Sequence, residues 1–113
     1  MSAQKVIECC QNQKGIKYAW GGADPNTGFD CSGLVVYCFK KAAGMSLPHF
    51  TGDLVKRGKA VSKKNLKPGD LIFPSDHHVG VYIGNGEFIH APHTGDVVKV
   101  SKVTKVYAAR RLL

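Results

Sequence analysis

The apolar residues of this chain change their spacing once, near Lys59, and that change limits the folds open to it. Before it they recur at helical intervals, as in Val6, Ile7 and Cys10 and again in Leu34, Val35, Cys38 and Ala42. After it come short alternating segments, KAVS, DLIFP, HVGVYIG, EFIHA, DVVKVS and VYAARRL, punctuated by Pro68-Gly69, Asn85-Gly86 and Thr94-Gly95. Helices followed by strands predict an α+β fold, with N-terminal helices packed on a C-terminal antiparallel sheet of about five to six strands. A length of 113 residues with 43% hydrophobic content suits one domain spanning 1–113. No apolar run approaches a membrane span.

The first helix is predicted over Ala3–Gln13, with Ser2 in the N-cap position and Gly15 ending it. Lys17–Asp30 holds too much Gly, Pro and Asn for regular structure, and Asp24-Pro25-Asn26 reads as a turn. A second helix is predicted from Cys31 to Ala43, with Asp30 as its N-cap and Gly44 as its stop. Pro48 and Thr51–Arg57 suggest a connector with one short helix.

A formal charge of +8 suits an anionic partner: nucleic acid, a membrane surface or an acidic polymer such as those of bacterial walls. The lysines are scattered, and no aromatic-plus-basic repeat or zinc-finger spacing accompanies them, which argues against nucleic acid. The densest patch, Lys56, Arg57, Lys59, Lys63, Lys64 and Lys67, reads as a solvated surface. No signal peptide is legible in Met1–Lys14, where Glu8 and glutamines stand in place of an apolar centre. The four cysteines form no disulfide framework: Cys9 and Cys10 are adjacent and diverge, and Cys38 falls on a core face. Free thiols are expected, and the His/Cys spacing implies neither a metal nor a cofactor.

Cys31 differs from the other three. A Gly-rich loop delivers it to the first turn of a helix, where unpaired backbone N–H groups favour negative charge and so a lowered thiol pKa. Asp30 beside it would oppose that ionisation, so the carboxylate is expected also to face a ligand. A nucleophilic thiol needs a base, and there are five histidines, His49, His77, His78, His90 and His93. A two-residue Asn85-Gly86 turn would pair Gly84 with Glu87 and put His78 and His90 on opposite faces of the sheet. A three-residue loop, Gly84-Asn85-Gly86, pairs Ile83 with Glu87 and sets His90 opposite Gly80, with His78 its diagonal neighbour. The missing side chain at Gly80 would then leave room for the two rings. On the premise that these two histidines cooperate, the three-residue loop is predicted. His49 and His93 fall in loops and are treated as background; His77, on the apolar face of its strand, is the nearest rival.

The ordered segments YAWGGADPNTGFDCSGLV, KPGDLIF, HVGVYIGNG and FIHAP resemble the NlpC-type cell-wall cysteine peptidases, papain-like enzymes that cut peptidoglycan stem peptides. The resemblance implies Cys31 as nucleophile, His78 as general base and His90 as the residue orienting it. It further implies that the Tyr18 hydroxyl helps hold the oxyanion, and that Asp30 and Ser32 line the pocket for a free N-terminal L-alanine. It implies a secreted or wall-associated enzyme whose partners are peptidoglycan peptides, and the +8 charge adds anionic wall polymers as a second class of partner. The expected reaction is hydrolysis of the γ-D-glutamyl to diaminopimelate bond. Two alternatives stand beside it: a related amidase or acyltransferase, and an inactive basic wall-binding module.

Overall fold

A computed structural model describes residues 2–113, apart from the side chain of Ser2, so the Ser2 cap lies outside the described residues. The first helix, α1, runs Ser2–Gln11. Val6, Ile7, Cys9 and Cys10 are its buried side. The Gly-rich segment that follows is more regular than predicted. It closes a two-stranded ribbon of β1 (Ala23–Asp24) and β2 (Gly28–Phe29) around a turn at Pro25–Thr27. The Asp24 side chain accepts from Asn26 N at 2.7 Å and so holds that turn.

Helix α2 spans Cys31–Ala43, as its spacing predicts, and Gly44 ends it in the left-handed region at φ 66°. Leu34, Val35, Cys38 and Phe39 are fully buried along it, and Ala42 lies half-buried at the margin. A single turn, α3 (Thr51–Leu54), inserts Leu54 into the same core.

The remaining strands are β3 (Lys59–Ala60), β4 (Leu71–Ser75), β5 (His78–Gly84), β6 (Glu87–His90), β7 (Lys99–Lys102) and β8 (Ala108–Arg111). They form one sheet of six strands, ordered β3-β8-β4-β5-β6-β7, with every neighbouring pair antiparallel. Leu71, Phe73, Val79, Val81 and Ile89 project from its inner face into the helices. Ile72, Phe88 and Ala109 belong to the outer face, because Ile72 stands opposite Gly80 and Ala109, and Phe88 opposite Tyr82.

The β5–β6 hairpin corrects the sequence reading in one respect. Gly84 pairs with Glu87 around a two-residue turn, with Asn85 at φ 55° and Gly86 at φ 73°. The register then shifts between Tyr82 and Gly84, so that Tyr82 faces Phe88 and Val81 faces Ile89. A surplus residue, Ile83, reverses the parity that the short turn alone would impose. The predicted three-residue loop is therefore absent, yet the body of the hairpin keeps the register it was meant to secure.

Among the described residues no helix is long and apolar enough to cross a membrane. The basic residues between Lys56 and Lys67 are exposed.

Candidate active site

The site is built on the head of α2. Asp30 is extended, and its Oδ1 accepts from Gly33 N at 2.7 Å, capping the helix. Its Oδ2 accepts from Gly21 N at 3.0 Å, and its own N–H donates to the Gly22 carbonyl at 3.0 Å. A side chain at Gly33 would strike that same carbonyl. Glycine is required there because loop and helix head meet backbone to backbone. The cap leaves the N–H groups of Cys31 and Ser32 free to face the Cys31 sulfur.

Cys31 opens onto a cleft of about 550 Å³ whose walls include Tyr18, Trp20, Asp30, Ser32, His49 and His77. Its Sγ donates to the His77 carbonyl at 3.7 Å and accepts from the Val79 N–H. The sulfur is therefore bonded to the backbone groups that flank His78, one in the turn before β5 and one on the strand. Its pKa is raised, not lowered as the helix-head argument predicts. Burial is the largest cause and the Asp30 charge adds to it, against the lowering pull of the Val79, Ser32 and Cys31 N–H groups. The helix-head effect is present but smaller than desolvation, so the resting thiol keeps its proton.

The two imidazoles meet on the outer face of the sheet. His78 Nε2 lies 2.7 Å from His90 Nδ1, and His90 Nε2 lies 2.8 Å from Ser101 Oγ. Burial lowers the His78 pKa, with a further lowering from His93. Burial first, and then His78, bring His90 down to about 4. Both rings are neutral at rest. The space left by Gly80 is not taken by the imidazoles: a Cβ there would meet the Phe88 ring. That ring lies against His90 with 4.2 Å between centroids, so Phe88 is the packing that holds His90.

The other histidines sort differently from their sequence positions. His77 is not on an apolar strand face. It sits in the turn before β5 with its side chain 87% exposed, beside Asp76 at 3.2 Å, and only its carbonyl serves the sulfur. His93 is an exposed loop residue whose Nδ1 donates to Thr94 O at 3.0 Å. His49, set aside as background, belongs to the cleft, with its Nε2 2.7 Å from Asp30 Oδ1. Ser32 Oγ donates to the same oxygen at 3.4 Å, so Oδ1 receives three donors and Oδ2 one. The Tyr18 hydroxyl has a raised pKa, through burial first and then the charges of Cys31 and Asp30.

His49 and Ser101 are the site residues that sequence reasoning missed. Alternation along KVSK would place Ser101 on the outer face once the β6–β7 register is known. Nothing local to Pro48-His49 signals its partner.

A thiol at a helix head, set against a strand that carries a paired imidazole, defines the papain-like class of thiol hydrolase folds. The chain belongs to the NlpC/P60 family, whose sequence profile matches residues 15–113. It is 38% identical over 119 residues to the murein DD-endopeptidase MepH of Escherichia coli, covering 95% of this chain and 44% of that protein. It is 36% identical over 118 residues to the γ-D-glutamyl-L-lysine dipeptidyl-peptidase of Bacillus subtilis, covering 98% of this chain and 39% of that one. The chain thus spans less than half the length of either relative. The crystal structure of the NlpC/P60 domain of the peptidoglycan hydrolase SagA superposes with a TM-score of 0.91 at 32% identity, covering 97% of this chain and 98% of that one.

Proposed function

We propose that residues 1–113 form one catalytic domain, a cysteine peptidase that hydrolyses peptidoglycan stem peptides at the cell wall. The observation that carries this reading is the His78–His90 contact of 2.7 Å beside a sulfur gripped on both sides of His78. Catalysis starts from a neutral pair. As substrate displaces water from the cleft, the Cys31 thiol turns from the His77 carbonyl and gives its proton to His78. The sulfur attacks the scissile carbonyl carbon, forming a C–S bond and an oxyanion. The Tyr18 hydroxyl and the Cys31 N–H donate to that oxygen; one such donor contributes about a hundredfold in rate. The C–N bond breaks as His78 protonates the departing amine. Water, deprotonated by His78, then hydrolyses the thioester and restores the thiol. His90 holds the His78 ring in line throughout.

Asp30 and Ser32 form the end of the cleft that takes the free α-amine of the stem peptide, a site for a cation beside a nearly buried carboxylate. The bond cut is the γ-D-glutamyl to diamino-acid bond, diaminopimelate in particular; the γ-D-glutamyl side of this reading is supported by the name of the Bacillus subtilis relative, a γ-D-glutamyl-L-lysine dipeptidyl-peptidase. A second reading, cleavage of a D,D cross-link, is favoured by the name of the Escherichia coli relative, a murein DD-endopeptidase. Digestion of purified muropeptides by the parent and by Cys31→Ala, analysed by mass spectrometry, separates them. A new amine on the diamino acid's L-centre indicates the first bond, and one on its D-centre the second. No new amine with any muropeptide would leave only a binding role.

A further inference from the structure

The hydrogen-bonded line from His78 to His90 continues to Ser101 Oγ, a side chain on the strand beyond. A line of two neutral imidazoles and a hydroxyl can run in two directions. In one, His78 Nε2–H donates to His90 Nδ1 and His90 Nε2–H donates to Ser101 Oγ, which leaves His78 Nδ1 bare to receive a proton from sulfur. In the other every donor is reversed, and His78 Nδ1 carries a hydrogen that blocks it as a base. Only the first direction works, and it requires an acceptor at His90 Nε2. We propose that Ser101 is a positioning residue: by accepting from His90 Nε2–H, it fixes the tautomer of His90 and through it that of His78.

This inference rests on His78 being the base of the proposed reaction. His90 is 7% exposed, so without Ser101 its Nε2–H would be buried with no partner. The ring would then move its proton to Nδ1, donate to His78 Nε2 and force His78 into the wrong form. The hydroxyl of Ser101, half-buried itself, is left to point its own hydrogen at solvent. The charged and titratable groups around His90 do not fill this role. Lys99 stands opposite it on β7 but pairs with Asp96 at 2.8 Å, and His93 is also drawn to Asp96, at 3.6 Å.

The test uses the full chain as parent, Ser101→Ala and Ser101→Thr. Two readouts apply: imidazole ¹⁵N NMR of His78 and His90, and the pH profile of Cys31 alkylation by iodoacetamide. The parent should carry its proton on Nε2 of both rings. Ser101→Ala should shift both toward Nδ1 and slow His78-dependent alkylation about 10- to 100-fold. Ser101→Thr, which keeps the hydroxyl, should restore both. Parent spectra with His90 protonated on Nδ1 would overturn the proposal without any variant, and so would a Ser101→Ala protein with unchanged tautomers and profile. Neither readout needs a substrate. A parent that alkylates through His78 yet cleaves no muropeptide therefore refutes the peptidase reading and leaves this one standing.

Discussion

Cys31 and Cys38 lie on one face of one helix, two turns apart, in opposite surroundings. Cys38 is fully buried among core side chains and next to Cys10 and Cys9, whose thiols crowd it. Its pKa is driven far above the thiol range by hydrogen bonding to Cys10 and by burial, and that of Cys9 rises to about 12, chiefly through burial. Cys31 is also raised by burial, but three backbone N–H groups resist the shift and the residue opens onto the cleft. In the proposed reading, thiol reactivity is a property of the helix head and the neighbouring strand, not of cysteine on a helix.

The largest effect expected from this contrast is on chemistry. Cys31→Ala should lower muropeptide hydrolysis by about a thousandfold or more, while Cys9→Ala and Cys10→Ala leave it intact. Peptide mapping after iodoacetamide treatment should find label on Cys31 in native protein and on the other three only after unfolding. Equal labelling of Cys9 would break the comparison.

Acid should next separate the site from the core. His90 titrates near 4 in the folded protein against an ordinary 6.5, so its contribution is complete above 6.5 and declines as pH falls toward 4. Urea unfolding across that range should show the loss in the parent and a flatter profile in His90→Asn. Because the His78 value is also lowered, the acid limb of kcat/KM should fall below the ordinary histidine range. A limb at or above 6.5 would contradict a neutral resting pair.

Tyr18→Phe sharpens the contrast within the site: hydrolysis should drop about a hundredfold, with Cys31 alkylation almost unchanged, because alkylation forms no oxyanion. The smallest effect is structural. Cys38→Ser, which buries a hydroxyl in an apolar setting, should cost about 1–2 kcal/mol in urea midpoint experiments and leave kcat alone.

The fold was largely legible because periodicity is a local signal. The bounds of α2 follow from its apolar spacing with Asp30 before it and Gly44 after it, and the six strands follow from alternation. Site legibility was uneven for a physical reason. Cys31 announces itself by its loop-to-helix position, and the resemblance brings His78 and His90 with it. Pairing register, by contrast, is set by a bulge that no residue type marks, so the right facing of the two rings was reached through the wrong turn. Ser101 depends on the register of a further strand, and His49 on where a loop folds back over a helix head. The raised pKa of Cys31 escaped because desolvation is a sum over neighbours distant in sequence.

The surplus residue at Ile83 has a consequence for how this hairpin tolerates change. A substitution along β5 or β6 leaves the facing of its neighbours unchanged, but a change in the count of residues between Tyr82 and Phe88 does not. Removing one would turn His90 inward toward Val79 and Val81 and carry Ile89 out to the solvent side. Length in this hairpin therefore sets which face carries His90, and loop grafting for altered specificity belongs at Trp20 and Phe50, which both line the cleft.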